Sequence, residues 1–272
     1  MFLSVFDMFK VGIGPSSSHT IGPMVAAARF LDHLRAQPFK VAGLKASLHG
    51  SLAFTGVGHS TDRATVLGLA GFRADDYDRD KADAEMTRIT ADGWVEPDGL
   101  PRLTFRPKEH LEFDYGPALT GHANGMILKG CDAQGDVVTQ VTYYSIGGGF
   151  VLTADELASG ADKQDGPPVP FPFKSAAEML DMAAESGLSI ADMKRENELS
   201  RITHAELDTG LSRLWQVMND CIDRGLVTGG ILPGGLFVKR RAKGIHEALL
   251  AEAGLNQTAP HTINDWMSAY AM

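Results

Sequence analysis

Between Gly160 and Pro172 the chain reads Gly-Ala-Asp-Lys-Gln-Asp-Gly-Pro-Pro-Val-Pro-Phe-Pro, polar first and then rich in proline. No helix or central strand continues through such a run, because proline lacks the donor and fixes its own backbone angle. The break predicts a domain of residues 1–158, a linker of 159–172 and a second domain of 173–272. The two sides differ in periodicity. Before the break, Val41, Leu44, Ala46 and Leu48 alternate with polar residues, and Leu103 to Phe113 reads as a strand. Asp132 to Gly135 supplies a hairpin turn between a strand from Met126 and another over Val137 to Tyr144. Met24, Ala27, Ala28, Leu31 and Leu34 recur at helical spacing. Phe2 to Phe9 reads as a strand or short lead-in, and 73–100, charged and poorly patterned, as surface structure and turns. After the break only helical patterns occur, over Ser175–Ser186, Ser189–Leu199, His204–Arg224 and Arg241–Ala253. The fold class expected is α+β: a mixed or antiparallel sheet domain with helices, then an all-α segment.

In the longest helical stretch, Leu207, Leu211, Leu214, Trp215, Met218 and Ile222 form a stripe that reads as core. Glu196 and Glu198 lie two apart, a spacing that keeps side chains off a common helix face, so they are not read as a catalytic dyad. The stretch from Thr262 to Met272 is amphipathic and stops without a capping glycine, which suggests a fragment of a longer chain.

Charge excludes some partners. With 25 basic and 34 acidic residues the chain carries a net charge of −9, so neither nucleic acid nor an anionic membrane is expected to bind it. The one basic knot, Lys239 to Lys243, reads as a solvated face or a local carboxylate spot. No apolar run reaches the length of a membrane span and no secretory pattern opens the chain, so the cytoplasm is expected. Cys131 and Cys221 suit a reducing compartment and are too few for an iron-sulfur cluster.

Chemistry concentrates in Lys10-Val-Gly-Ile-Gly-Pro-Ser-Ser-Ser-His-Thr-Ile-Gly-Pro23, which runs directly into a helix. A single serine there would be a helix cap. Ser16, Ser17, Ser18, His19 and Thr20 between two Gly-Pro pairs exceed what capping uses and read as a cradle for a small anion. A second strand, loop and helix follows at Gly50 to Asp62, with His59 at the junction. His122 and Asn124 precede the strand from Met126, and Ser145 leads into Gly147, Gly148 and Gly149. Those glycines permit an anion-binding nest or, more simply, a turn.

The opening Phe6 to Thr20 resembles the start of the single-chain bacterial iron-sulfur L-serine dehydratases (L-serine ammonia-lyases). Gly50-Ser-Leu-Ala-Phe-Thr-Gly-Val-Gly-His-Ser-Thr-Asp62, Thr142 to Phe150, Pro172-Phe-Lys-Ser175 and Cys221-Ile-Asp-Arg-Gly225 resemble later stretches of that family. Family members are several hundred residues long, and their cluster cysteines lie in a C-terminal portion absent here.

The resemblance implies loss of water from L-serine, then hydrolysis to pyruvate and ammonium, aided by a 4Fe-4S cluster whose ligands this chain does not carry. It implies His59 as base, with His19 and His122 as further candidates for proton transfer or positioning. The serine carboxylate would be held by Ser16, Ser17, Ser18, Thr20, Asn124, Ser145 and the Gly147 to Gly149 backbone. No metal ligand is expected in this chain, and a homodimer is. The first domain also resembles the allosteric substrate-binding domain of some 3-phosphoglycerate dehydrogenases, which leaves a sensing domain without catalysis as an alternative. A serine hydrolase built on Ser18 and His19 is disfavoured: neighbours at a helix start rarely aim at each other, and no Gly-x-Ser-x-Gly elbow is present.

Overall fold

The computed structural model describes residues 2–14, 16–36, 40–160, 168–232, 237–253 and 263–271. The chain divides into two compact units, one of Lys10–Gln164 and one that joins Phe2–Phe9 to Asp165–Met272.

The opening residues, read as a strand or short lead-in, form one helical turn and no strand. Helix α1, Val5–Met8, begins at a capping box: Ser4 Oγ accepts the Phe6 N–H and the Asp7 carboxylate accepts the Ser4 N–H. Two orphan donors are thereby satisfied within a single turn, which favours the helix over an extended chain.

In the Lys10–Gln164 unit, α2 (Ile21–Ala36) is followed by β1 (Gly43–Gly50), the one-turn α3 (Ser51–Phe54) and α4 (Thr61–Leu69). Next come α5 (Arg79–Asp92), β2 (Trp94–Val95), β3 (Leu103–Thr104), α6 (Pro107–His110) and β4 (Leu111–Asp114). The unit closes with β5 (Asn124–Cys131), β6 (Val137–Gly147), β7 (Phe150–Thr153) and α7 (Ala154–Ala158). The sheet runs β2-β3-β1-β5-β6-β7, with β4 also paired to β1. It is mixed: β1 lies parallel to β3 and β4, while the β1/β5, β5/β6 and β6/β7 pairs are antiparallel. Leu44, Ala46 and Leu48 project from β1 into a core shared with Phe30, Leu31 and Leu34 of α2 and Met126 and Leu128 of β5. Each of the leucine, phenylalanine and methionine side chains in this core stabilises the fold by roughly 1.5–3 kcal/mol through burial.

Two stretches differ from expectation here. The stretch read as one strand from Leu103 to Phe113 is two strands separated by α6, because Pro107 takes the first position of a helical turn. The charged stretch read as surface structure and turns contains a regular helix at the surface, α5, capped by the Asp78 side chain and closed by Gly93. Its outer surface carries the pairs Arg88–Glu85, Arg88–Asp92 and Arg79–Asp83, and only Ala82 and Ile89 are buried.

The other unit holds α8 (Ala176–Ser186), α9 (Ile190–Leu199), α10 (His204–Val227), α11 (Ala242–Ala253) and α12 (Ile263–Ala271). Ser175 caps α8 and Gly187 ends it in the left-handed conformation. The α10 stripe is not the core it resembled. Leu207 alone is buried on this helix, while Trp215 is 63% and Met218 46% exposed. Among the described residues no helix is long and apolar enough to cross a membrane.

Candidate functional site

One end of the sheet collects the polar residues singled out above. Strand β1 ends at Gly50, which pairs with Asn124 at the start of β5, and Ser145 lies near the end of β6. Gly50 sits at φ 57, ψ −129, and a Cβ there would overlap the Ala123 carbonyl oxygen, so only glycine makes this turn. The turn delivers Ser51.

Ser51 meets the cradle. Residues 16–20 fold as a tight turn in which the His19 and Thr20 N–H groups both donate to the Ser16 carbonyl. The turn brings Ser18 and His19 to the same side, so these neighbours do aim at each other: Ser18 Oγ lies 2.9 Å from His19 Nδ1. Ser16 Oγ is 3.2 Å from Ser18 Oγ, and His19 Nε2 is 3.1 Å from Ser51 Oγ. A continuous chain of hydroxyls and one imidazole results. In neutral His19 one ring nitrogen donates and the other accepts, so one of the two flanking hydroxyls gives it a proton and the other takes one.

The ring of His59 stands 4.7 Å from that of His19, tilted by 35°. His59 Nδ1 lies 2.9 Å from the Thr55 carbonyl oxygen. A carbonyl only accepts, so Nδ1 carries the hydrogen and the lone pair of neutral His59 is at Nε2. His122 has the opposite tautomer, because its Nδ1 accepts the Asn124 N–H at 3.1 Å and Nε2 therefore carries the hydrogen. His19 is buried, and this desolvation, reinforced by the neighbouring His59 charge, lowers its pKa below the usual histidine value while a Ser51 hydrogen bond opposes the shift. Of the three histidines, His59 alone holds a basic nitrogen with no hydrogen-bond partner among the described residues.

Other candidates have different surroundings. The Thr20 hydroxyl is turned onto the loop's own backbone, with the Ile13 and Ser16 carbonyls as acceptors. Ser17 is exposed. Asn124 Nδ2 donates to the Ser145 carbonyl at 3.1 Å. Ser145 is 2% exposed, and its Oγ has no partner among the described residues. Gly22, in the first turn of α2, makes room for that hydroxyl, since a Cβ there would overlap it. Gly148 and Gly149 form the two-residue connection between β6 and β7 with φ of 60 and 78, the backbone that primed hairpin turns require. That role accounts for these two glycines without a ligand.

Three residues of this region were not singled out from the sequence. Ser51 is the partner of His19. Ser60 adopts the left-handed conformation, φ 56 and ψ 37, immediately before α4. Thr61 is fully buried, and its Oγ1 lacks a partner among the described residues. The hydroxyls of Gly50–Asp62 were visible, but their convergence on His19 depends on strand register.

The donor chemistry does not fit an iron-sulfur cluster. Cys131 is buried in β5 and Cys221 lies exposed on α10, each in a different unit, and among the described residues no group of three or more His, Cys, Asp or Glu is placed to hold a metal. Lys239, Arg240 and Arg241 of the basic knot line a cavity of about 150 Å³ with Gly225, Leu232, Val238 and Ala242, and none of these residues belongs to the cradle.

Residues 4–156 match the family described as the serine dehydratase beta chain. The chain is 42% identical over 276 residues to an L-serine dehydratase of Streptomyces coelicolor, covering 100% of this chain and 59% of that protein. It is 38% identical over 273 residues to L-serine dehydratase 1 of Escherichia coli K12, covering 99% and 59%. For an L-serine dehydratase of Haemophilus influenzae the identity is 37% over 273 residues, with the same coverage of 99% and 59%. The chain thus spans about three fifths of the length of these relatives.

Proposed function

The chain belongs to the serine dehydratase family, and from that premise we propose that its Lys10–Gln164 unit holds L-serine for dehydration, with His59 as the base that takes the α-proton. The observation that carries this reading is the tautomer of His59. Its Nδ1–H is fixed on the Thr55 carbonyl, and Nε2 keeps its lone pair beside His19. A neutral imidazole suits proton abstraction near neutral pH.

The hydroxyls of Ser16, Ser18 and Ser51 offer donors to a carboxylate at one end of that pair. Each such bond to an ionised group stabilises the complex by about 1.5–3 kcal/mol. His122 serves as a donor through Nε2–H rather than as a base, by the tautomer that Asn124 imposes. Departure of the serine hydroxyl requires electrophilic help. The described residues of this chain do not make a cluster site, so no step through a cluster is assigned to them.

Calorimetric titration with L-serine, with the histidine ring signals followed by NMR, tests the reading. Binding that shifts the His59 ring and is weakened for L-alanine, which lacks the hydroxyl, supports it. Absence of binding at millimolar L-serine would sink it. Binding with no pyruvate from any assembly containing the chain would favour the sensing alternative.

A further inference from the structure

Strand β1 carries a second polar track that the proposed chemistry does not use. Leu44, Ala46 and Leu48 enter the core with α2, so by the alternation of a strand Ser47 and His49 point to the opposite face of the sheet. Both are buried, at 5% and 7% exposure. His49 lies opposite Asp114 in the parallel pair of β1 and β4, with His49 Nδ1 3.2 Å from Asp114 Oδ2 and His49 Nε2 2.9 Å from Ser47 Oγ. A carboxylate only accepts, so Nδ1 carries the hydrogen and the Nε2 lone pair of neutral His49 takes the Ser47 hydroxyl hydrogen. The order Ser, His, Asp is that of a hydrolytic triad. Ser47, however, sits within the strand and is nearly enclosed, which places it to lock the imidazole rather than to meet a substrate.

The lock stands where two stretches of chain leave for the candidate site. Because β1 and β4 run parallel, they end side by side: β1 continues through Gly50 to Ser51, and β4 into the loop 115–123 that carries His122. Asp114 holds the start of that loop, since its Oδ1 accepts the Gly116 N–H at 2.7 Å. Further along, Tyr144 Oη accepts the Gly121 N–H at 3.3 Å. At the end of the loop the Ala123 carbonyl accepts the Ser51 N–H at 2.8 Å, and Ser51 Oγ meets His19 Nε2. We propose that His49 and Asp114 form a clamp that fixes Ser51 from both sides, by the end of β1 and by the loop 115–123, and that both are positioning residues for the L-serine site. The claim rests on the reading of the Ser51–His19 contact as part of that site.

The physical reason is partly entropic. Ordering a loop costs conformational freedom, and a loop fixed in advance spares ligand binding that loss. The Asp114 carboxylate serves two partners at once, one oxygen on His49 and the other on Gly116, so the ends of β1 and β4 do not shift independently. The link from His49 to Ser51 is short and stiff. Gly50 alone lies between them, and a Cβ there would overlap the Ala123 carbonyl oxygen and approach Ala118 of the same loop. A supporting shell of this kind holds a contacting residue within the narrow range of positions that binding needs.

The test compares wild type with Asp114→Asn, His49→Gln and His49→Asn by amide hydrogen exchange, L-serine titration and thermal unfolding of the whole chain. Asp114→Asn keeps the shape but replaces one acceptor oxygen by a donor, so Gly116 or His49 loses its partner. In His49→Gln the amide takes the place of Nε2 and the donor to Asp114 is lost; in His49→Asn the amide takes the place of Nδ1 and that donor is kept. Expected in Asp114→Asn and His49→Gln are faster exchange at Gly116 and Ser51 and a dissociation constant for L-serine raised about tenfold. His49→Asn should bind L-serine more nearly as wild type does, although the two His49 variants lose similar stability. Unchanged exchange at Ser51 in Asp114→Asn overturns the clamp, and so does faster exchange there with unchanged L-serine affinity. Equal losses of affinity in His49→Gln and His49→Asn would make His49 a packing residue and overturn its positioning role. If wild type itself binds no L-serine, the substrate reading fails, and exchange at Ser51 still decides the clamp.

Discussion

His19 and His59 stand with ring centroids 4.7 Å apart, yet they are held in opposite ways: both nitrogens of His19 face hydroxyls, whereas His59 is fixed through Nδ1 alone. Substitution should separate the two roles. In any preparation that turns over L-serine, His59→Gln is expected to lower kcat by about 10²–10⁴ and leave KM within a few-fold, the signature of a lost base. His19→Gln is expected to raise KM, because it breaks the link between Ser18 and Ser51. Steady-state kinetics of the two variants decide the assignment, and a reversed pattern would exchange the roles.

Burial of His19 beside His59 ties stability to pH. The folded protein holds the His19 pKa below the ordinary 6.5, so the unfolded chain binds that proton more readily. Stability from this group is complete above the unfolded value and is lost as pH falls through about 6.5 towards the folded value. His110 shifts the same way, chiefly through burial, and adds to the slope. Urea unfolding between about pH 8 and pH 5 should therefore show falling stability, with a shallower slope in His19→Gln. An identical slope in that variant would remove His19 from the explanation.

Gly22 and Ser145 form a lock between α2 and β6. A methyl group at position 22 would overlap Ser145 Oγ and lie 2.8 Å from Ser145 Cβ. Gly22→Ala should cost about 1–3 kcal/mol, the usual penalty of overpacking. The double variant Gly22→Ala, Ser145→Gly should recover part of that loss, since contacting residues couple. Thermal unfolding of both single variants and the double one measures the coupling, and simple additivity would mean that the two side chains do not compete for this space.

Legibility in the sequence follows the range of the interaction. Caps and turns were readable because they are local: Ser175 and Gly187 bound α8, and Asp132 to Gly135 turns β5 into β6. Helix α5 was missed because its apolar face is reduced to Ala82 and Ile89 and its remaining surface is charged, so periodicity carries little signal. The break at Pro107 was there to be read, but the apolar residues around it suggested one strand. The cradle showed itself through composition alone. Its completion by Ser51 did not, because that contact spans 32 positions and depends on the register of β1 against β5.

Helix α10 shows the limit of periodicity as a guide to burial. An apolar stripe tells which face can be covered but not whether anything covers it. Leu207 is 2% exposed and Trp215 63%, although both belong to one stripe. Leu207→Ala should therefore destabilise the chain by about 2–5 kcal/mol, the cost of emptying a buried leucine site. Trp215→Ser should change stability by no more than about 0.5 kcal/mol, as an exposed substitution does. Chemical denaturation of the two variants at low protein concentration, where association does not contribute, compares them directly. A large loss in Trp215→Ser under those conditions would mean that this end of the stripe is covered in solution.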